Sequence, residues 1–448
     1  MAKNEDSGSL RVFARTVAVQ PGELRPLLWS FAYFFCLLAS YYVLRPLRDE
    51  MAIVGGVGNL QWLFTATFAA MLAAVPLYGA VVARLQRKRF IALVYHFFAA
   101  NIAIFWLLFA FHVGTQQVAR VFFVWISVFN LFAVSVFWSY MADLFSSAQG
   151  KRLFGFIAAG GSAGALFGPA VTVWLAQPLG PTNLLIVAAV LLEAAVLCAR
   201  ALERAAAPGV DAPAPAGPAP RGAPEMGGGA LAGIALLARS PYLAGIALWV
   251  FLLSLAGTFL YFEQAHIVAA ASDDPAVRTR IFASIDLVVG ILTVLVQCFA
   301  TGRLISRFGV GAAAGFLPLV FAAGFAVLAM APAVLVVVAI QAIQRTANFA
   351  ISNPAREVLF TVLEREEKYK AKNVIDTVIF RGADAICGWL FATLRSAGLE
   401  LSAIALATVP VAALWFVLAL ALGRSQEHRA RRLATNTAQQ PPSAIKDS

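Results

Sequence analysis

Apolar runs long enough to cross a hydrocarbon core recur along almost the whole chain. They fall at 27–47, 61–83, 90–111, 121–143, 153–176, 183–202, 242–264, 281–301, 311–331, 333–353, 374–394 and 401–423. One such run could be a buried core helix, but twelve in series predict an all-α membrane protein with twelve transmembrane helices. Between the sixth and seventh runs the pattern stops. Residues 203–230 are rich in Pro, Ala and Gly, lack periodicity and cannot bury a core. The predicted organisation is a cytoplasmic tail (1–24), a six-helix bundle (25–202), a disordered cytoplasmic linker (203–240), a second six-helix bundle (241–423) and a cytoplasmic tail (424–448).

Composition agrees with this picture. Hydrophobic residues make up 61% of the chain and charged residues 13%, which excludes an ordinary soluble domain. The placement of basic residues then sets orientation. With both termini in the cytoplasm, only Arg120, Arg278, Arg280 and Arg395 of the 34 Lys and Arg fall on the outer side, and Arg45, Arg48, Arg345 and Arg381 fall within spans. The other 26 lie in cytoplasmic tails and loops. The net charge of +11 therefore reflects topology and contact with anionic lipid, and nucleic acid is not an expected partner. The first apolar run is too long for a signal peptide. Arginine outnumbers lysine and alanine is abundant, as in a GC-rich bacterium, so the expected location is the bacterial inner membrane. Cys36, Cys198, Cys298 and Cys387 all lie in apolar runs without metal-ligand spacing, so no disulfide, metal site or cofactor is expected. No hydrolase motif or phosphate-binding P-loop occurs, and the chain is not expected to be an enzyme.

Polar residues inside the apolar runs carry the chemistry. Arg45, Arg48 and Asp49 are spaced i, i+3, i+4 and share a helix face, which Tyr41 extends by a turn. An arginine at mid-membrane costs about 2.5–3.5 kcal/mol on insertion scales, so such residues line a polar interior unless they close the span as interface anchors. Further stripes are Ser135, Ser139 and Asp143 in the fourth run, Asp286, Gly290, Thr293 and Gln297 in the eighth, Gln341, Gln344, Arg345, Asn348 and Ser352 in the tenth, and Asn373, Thr377, Arg381, Asp384 and Gly388 in the eleventh, with Asp376 beside it. Embedded charges of both signs predict a wet cavity for a hydrophilic solute. In the fifth run, Gly160, Gly164 and Gly168 repeat every four residues and predict a face on which a neighbouring backbone packs closely.

Two six-helix halves joined by a long loop resemble the major facilitator superfamily, whose substrate site lies at the bilayer midplane between the halves. Gly302-Arg303-Leu304-Ile305-Ser306-Arg307-Phe308-Gly309 resembles that superfamily's loop signature, a tight turn opened by glycine, with Ser306 where an aspartate is usual. A closer resemblance lies in Arg356-Glu357-Val358-Leu359-Phe360 followed by Lys368-Tyr369-Lys370-Ala371-Lys372 and Ile375-Asp376. These segments are similar to the ATP/ADP translocases, the nucleotide exchangers of intracellular bacteria and plastids. Leu44 to Asp49, Phe137-Trp138-Ser139 with Asp143, and Gly150-Lys151-Arg152-Leu153-Phe154-Gly155 agree with that family. The resemblance implies exchange of adenine nucleotides, with Arg48 where the family has lysine, Asp143 as the fourth-span acid, and Asp286 and Arg381 as counterparts in the second half.

The expected function is therefore secondary transport by rocker-switch alternating access, with ATP/ADP-type antiport or movement of a related phosphorylated anion. Arg45, Arg48, Arg345 and Arg381 would hold the anion, and Tyr41, Tyr42 or Trp138 would stack on a base. Asp49, Asp143, Asp286, Asp376, Asp384 and Lys151 would form the ion pairs that couple or gate the cycle. The alternative is a proton-coupled superfamily carrier of another small solute, with Asp143, Asp286 or Asp384 as the proton site. A fold of this size can act as a monomer.

Overall fold

The computed structural model describes residues 20, 22–84, 87–206, 236, 237 and 239–439. The first nineteen residues, most of the 203–240 linker and the end of the C-terminal tail lie outside the described residues. The described residues are helical almost throughout, as lipid requires, since a helix satisfies its own backbone groups where no water can.

In chain order the helices are α1 (Leu24–Val54), α2 (Leu60–Arg84), α3 (Arg87–Ala110) and α4 (Thr115–Leu144), then a helical stretch Ser147–Ala206. That stretch is broken at Gly180, whose φ of 76° is open to glycine but strained for other residues. Its limbs are α5 (147–179) and α6 (181–206). There follow α7 (Pro241–Ala271), α8 (Pro275–Phe299), α9 (Thr301–Met330), α10 (Val334–Ala347), a π-helical turn Asn348–Ser352, α11 (Asn353–Leu359), α12 (Arg365–Val374), a second π-helical turn Ile375–Ile379, α13 (Phe380–Ser396) and α14 (Leu401–Gln439).

Among the described residues ten helical stretches are long and apolar enough to cross a membrane. One of the ten runs from Ala148 to Ala206 and, folded at Gly180, holds two crossings. The eleventh expected run is shorter and more polar. It corresponds to α13 and the π-helical turn before it, which carry Asp376, Arg381 and Asp384. The glycine-opened turn expected at Gly302 is displaced: Gly302 lies within α9, and the chain breaks instead at Gly309, with φ 80°.

The chain forms two units, one of residues 1–223 with 268–290 and the other of residues 224–267 with 291–448. In the first, α1 lies against α5 along the predicted glycine face. A methyl group built on Gly160 would come within 2.5 Å of the Phe31 carbonyl oxygen, and one on Gly168 within 2.7 Å of the Ala39 carbonyl oxygen. One on Gly164 would collide with the Phe35 carbonyl oxygen and the Ala39 nitrogen. Aromatic rings fill the rest. Tyr33, Tyr95, Phe122, Phe129 and Phe137 are fully buried, the Tyr33 hydroxyl donates to the Tyr95 hydroxyl at 2.8 Å, and that of Tyr95 donates to the Ala133 carbonyl at 3.1 Å. In the second unit α9 meets α14 backbone to backbone where Gly311 faces Gly423, and Trp249 of α7 packs on Trp415 of α14. All four cysteines are free thiols.

Because backbone atoms cannot yield as a flexible side chain can, Gly164→Ala is expected to destabilise the protein by about 1–3 kcal/mol, the usual cost of overpacking. A melting curve in detergent reads this directly; an unchanged midpoint would mean that α1 and α5 are not in close contact.

Candidate functional site

In the first unit the helical face predicted for Arg45, Arg48 and Asp49 forms, since α1 continues without a break to Val54 with Pro46 inside it. The partners differ along that face. Arg45 reaches Asp286 of α8, with Nη1 to Oδ1 at 3.5 Å and an Asp286 side chain only 1% exposed. Its guanidinium lies over the Tyr42 ring at 5.7 Å. Arg48 instead bonds to its neighbour Asp49, with Nε at 3.1 Å and Nη2 at 2.8 Å, and lies over the Phe123 ring at 5.1 Å. Tyr41 meets Tyr42 edge-on at 5.2 Å. Trp138 is enclosed by Phe34, Phe137 and Phe154, with centroids at 5.5, 5.3 and 5.6 Å. Tyr42 is thus the ring beside Arg45, while Trp138 sits in an aromatic cage.

Two residues that sequence reasoning passed over form the tightest pair. Glu50 accepts hydrogen bonds from Arg278 of α8, from Nε at 2.9 Å and from Nη2 at 2.6 Å, and Arg278 Nη1 also donates to the Ser272 carbonyl at 3.0 Å. The Glu50 side chain is fully buried and that of Arg278 is 10% exposed. Arg278 was expected in the outer loops, whereas the structure buries it at the start of α8. The signal available was Glu50 itself, an acid that continues the Arg45–Asp49 run but has no basic residue three or four positions away on its own helix face.

The second unit holds the other predicted charges. Arg381 lies 3.7 Å from Asp384, one turn along α13. Asp384 also accepts a short hydrogen bond from the Ser254 hydroxyl of α7 and a longer one, at 3.5 Å, from the Thr258 hydroxyl. Arg356 pairs with Asp376 at 3.2 Å, and Lys372 binds both oxygens of Glu357, at 2.8 and 2.6 Å. These two pairs tie together the two segments that resemble the nucleotide exchangers. Each segment adjoins a π-helical turn, a distortion frequent at functional sites. Gln344 donates to the side chain of Gln341 at 2.8 Å, and Arg345 beside it is half-buried. The side chains of Asn373 and Thr377 lie outside the described residues. Asp143 and Lys151 are exposed.

Next to Lys151, Arg152 makes the ion pair. Its Nη1 and Nη2 donate to the two oxygens of Glu23 at 3.1 and 2.9 Å, and Gln149 donates to Glu23 at 3.0 Å. Glu23 precedes α1, so this cluster joins the head of α1 to the head of α5. Burial pushes the Glu23 carboxyl upward, but the hydrogen bonds from Arg152, the Gln20 backbone and Gln149, with the charge of Arg152, outweigh it and hold the group below its ordinary value of 4.5.

Finally, Glu263 stands near the C-terminal end of α7, fully buried, and neither carboxylate oxygen has a hydrogen-bond partner among the described residues. The apolar run read from the sequence, 242–264, takes in Glu263 without singling it out; the helix continues to Ala271. Among the described residues no group of three or more His, Cys, Asp or Glu is placed to hold a metal ion.

The distances sort these pairs. Charge-assisted hydrogen bonds close to about 2.7–2.9 Å, as at Glu50–Arg278 and Arg48–Asp49. Arg45–Asp286 and Arg381–Asp384 stay at 3.5 and 3.7 Å, close enough to neutralise but too long for such a bond. The first two are hydrogen-bonded ion pairs, and the last two are looser ones.

Comparison with known proteins agrees with this architecture. The family model for the Major Facilitator Superfamily matches residues 29–355. The chain belongs to that superfamily, and it is a secondary transporter that works by alternating access. Solved structures share the fold at low identity. The nucleoside transporter NupG has a TM-score of 0.61 at 15% identity, over 94% of this chain and 100% of its own. A bacterial homologue of the iron transporter ferroportin, in an inward-facing state, has 0.61 at 12%, over 90% and 99%. A POT family transporter in complex with a thioalcohol-conjugated peptide has 0.61 at 13%, over 90% and 96%. A search of curated proteins finds no match.

Two stability experiments follow. Removing one partner of a buried ion pair leaves the other charge stranded at a cost of about 3–5 kcal/mol, so Arg278→Ala should lower the melting temperature sharply, whereas Arg280→Ala should not. Glu23 contributes stability that is fully present above its ordinary 4.5 and is lost as pH falls through its depressed folded value. The melting temperature of Glu23→Gln should therefore lie below that of the wild type at neutral pH and converge with it in acid; a gap that persists in acid would rule out the ion pair as its cause.

Proposed function

We propose that the protein is a proton-coupled secondary carrier of a small anionic solute, with Arg45 in the first unit and Arg381 in the second each a candidate anion-holding side chain in its own right. The observation that carries this reading is the pair of loose arginine–aspartate contacts, Arg45–Asp286 and Arg381–Asp384. An intramembrane arginine needs an anion beside it. In the empty carrier aspartates supply that charge, and an arriving carboxylate or phosphate replaces them with shorter, bidentate contacts. Tyr42 beside Arg45 offers a ring face to an aromatic part of the solute. Arg48 and Asp49, bonded to each other, serve to fix the end of α1. Arg345, Asp143, Asp376 and Lys151 remain candidates for gating contacts. The positive-inside distribution supports a bacterial inner-membrane protein with both termini in the cytoplasm.

Nucleotide exchange is the second reading. The Arg356–Asp376 and Glu357–Lys372 pairs favour it, because they join the two segments similar to the ATP/ADP translocases. Here ATP and ADP are the solutes, and the empty carrier reorients too slowly for net flux.

Uptake of labelled ATP into proteoliposomes separates the two. Uptake that follows an imposed inward proton gradient, needs no internal ADP and collapses with a protonophore supports the first. Uptake that requires internal ADP and ignores the protonophore supports the second. In either case Arg45→Ala and Arg381→Ala should cut uptake at least about tenfold, the effect of losing about 1.4 kcal/mol of binding. Full uptake by both variants would remove these arginines from the solute site.

A further inference from the structure

We propose that Glu263 is the site that takes up and releases the coupled proton. The inference deepens the proton-coupled reading and depends on it. It rests on where the side chain lies. Phe259, Phe262, Glu263 and His266 are spaced i, i+3, i+4, i+7 and form one stripe of α7. Three of the four close on a single ring of α13: the Phe391 centroid is 5.3 Å from that of Phe259, 5.2 Å from Phe262 and 6.0 Å from His266. Glu263 sits within that aromatic stripe, with no exposure and with both oxygens buried and without a hydrogen-bond partner.

A carboxylate in such a place lacks everything that would stabilise its charge: water, a cation and hydrogen-bond donors. The neutral acid pays much less for the same burial. In this conformation Glu263 therefore holds its proton. Five other embedded acids differ in this respect, since Asp49, Glu50, Asp286, Asp376 and Asp384 each lie against an arginine. A carboxyl that is neutral when enclosed and ionised when wet binds a proton in one conformation and yields it in another.

The charged and titratable groups of the surrounding elements are few. On α7 itself His266 lies one turn away. Its Nδ1 faces the Phe262 carbonyl at 2.7 Å, an acceptor only, so Nδ1 carries the hydrogen and Nε2 keeps its lone pair. On α13, Asp384 and Arg381 lie about two turns from Phe391 toward the start of the helix, and Arg395 lies one turn beyond it, with Nη1 donating to the Leu399 carbonyl at 2.8 Å. The stretch of α14 that packs on α7 around Trp415 has no titratable residue between 401 and 423. His266 Nε2 is the nearest group on the same stripe able to pass a proton to or from Glu263.

Infrared spectroscopy of the purified protein in lipid nanodiscs tests this without any solute. The wild type should show a carboxylic-acid carbonyl band at neutral pH that shifts when glutamate is labelled with carbon-13, fades reversibly in strong alkali and is missing from Glu263→Gln. Absence of the band at neutral pH, its persistence in Glu263→Gln or its failure to fade would overturn the proposal. The labelled-ATP assay supplies the functional half: stimulation by an imposed proton gradient should disappear in Glu263→Gln and survive in Glu263→Asp. A Glu263→Gln carrier that follows the gradient as the wild type does would also overturn it. Should wild-type protein move no ATP, the choice of solute has failed and the infrared band still decides the protonation of Glu263.

Discussion

The constraint that shapes this protein is the absence of water around its embedded charges. In a hydrocarbon-like surrounding a guanidinium or carboxylate is stable only beside an opposite charge or a set of hydrogen-bond donors. The described spans follow this closely. Arg45 has Asp286, Arg48 has Asp49, Arg278 has Glu50, Arg356 has Asp376 and Arg381 has Asp384. Neutrality is kept pair by pair, and the pairs are made between or along helices within each unit. Differences among the distances then become informative. A bidentate contact at 2.6 Å fixes two helices, whereas one at 3.5 Å satisfies Coulomb's law and leaves the geometry open to exchange.

Glu263 is the exception that this rule exposes. A carboxyl without a cation cannot stay charged in an aromatic enclosure, so its presence points to a group whose protonation changes. Its neighbours divide the labour. Ser254, Thr258, Phe262 and His266 follow one another at four-residue spacing, so the hydroxyls that hold Asp384 and the rings that meet Phe391 lie along the same side of α7, against α13. One helix thereby presents first a polar stretch to an ion pair and then, a turn or two further along, an aromatic stretch that carries Glu263.

Much of this was legible in the residues, and the gaps have physical causes. The apolar runs and the four-residue glycine repeat predicted the helices and a close-packed face on α5, because burial and close approach are local properties of a helix face, but they did not name α1 as the neighbour. Arg45, Arg48, Arg381 and Asp286 stood out because they interrupt apolar sequence. The acids that meet them, Asp49, Asp286 and Asp384, were named as well, but not which acid meets which arginine, since pairing is tertiary: nothing near Glu50 in sequence names Arg278 as its mate. Glu263 was missed because, beside Gln264, it stands near the end of the 242–264 run, and nothing local shows that the helix runs on to Ala271 and buries it. The stripes in the tenth and eleventh runs were drawn with α-helical spacing throughout. The π-helical turns at Asn348–Ser352 and Ile375–Ile379 bond i to i+5, so residues beyond each turn are rotated from the straight line.

The seam between α1 and α5 also bears on motion. Carbonyl oxygens of α1 sit where side chains on Gly160, Gly164 and Gly168 would have to be, and the Glu23–Arg152 bridge pins the same two helices at their heads. Neither helix can roll or slide against the other without a steric clash. The two behave as a single stiff lever, so any displacement that carries Arg45 away from Asp286 must swing α5 with it. The part that moves is then a pair of helices and not one side chain.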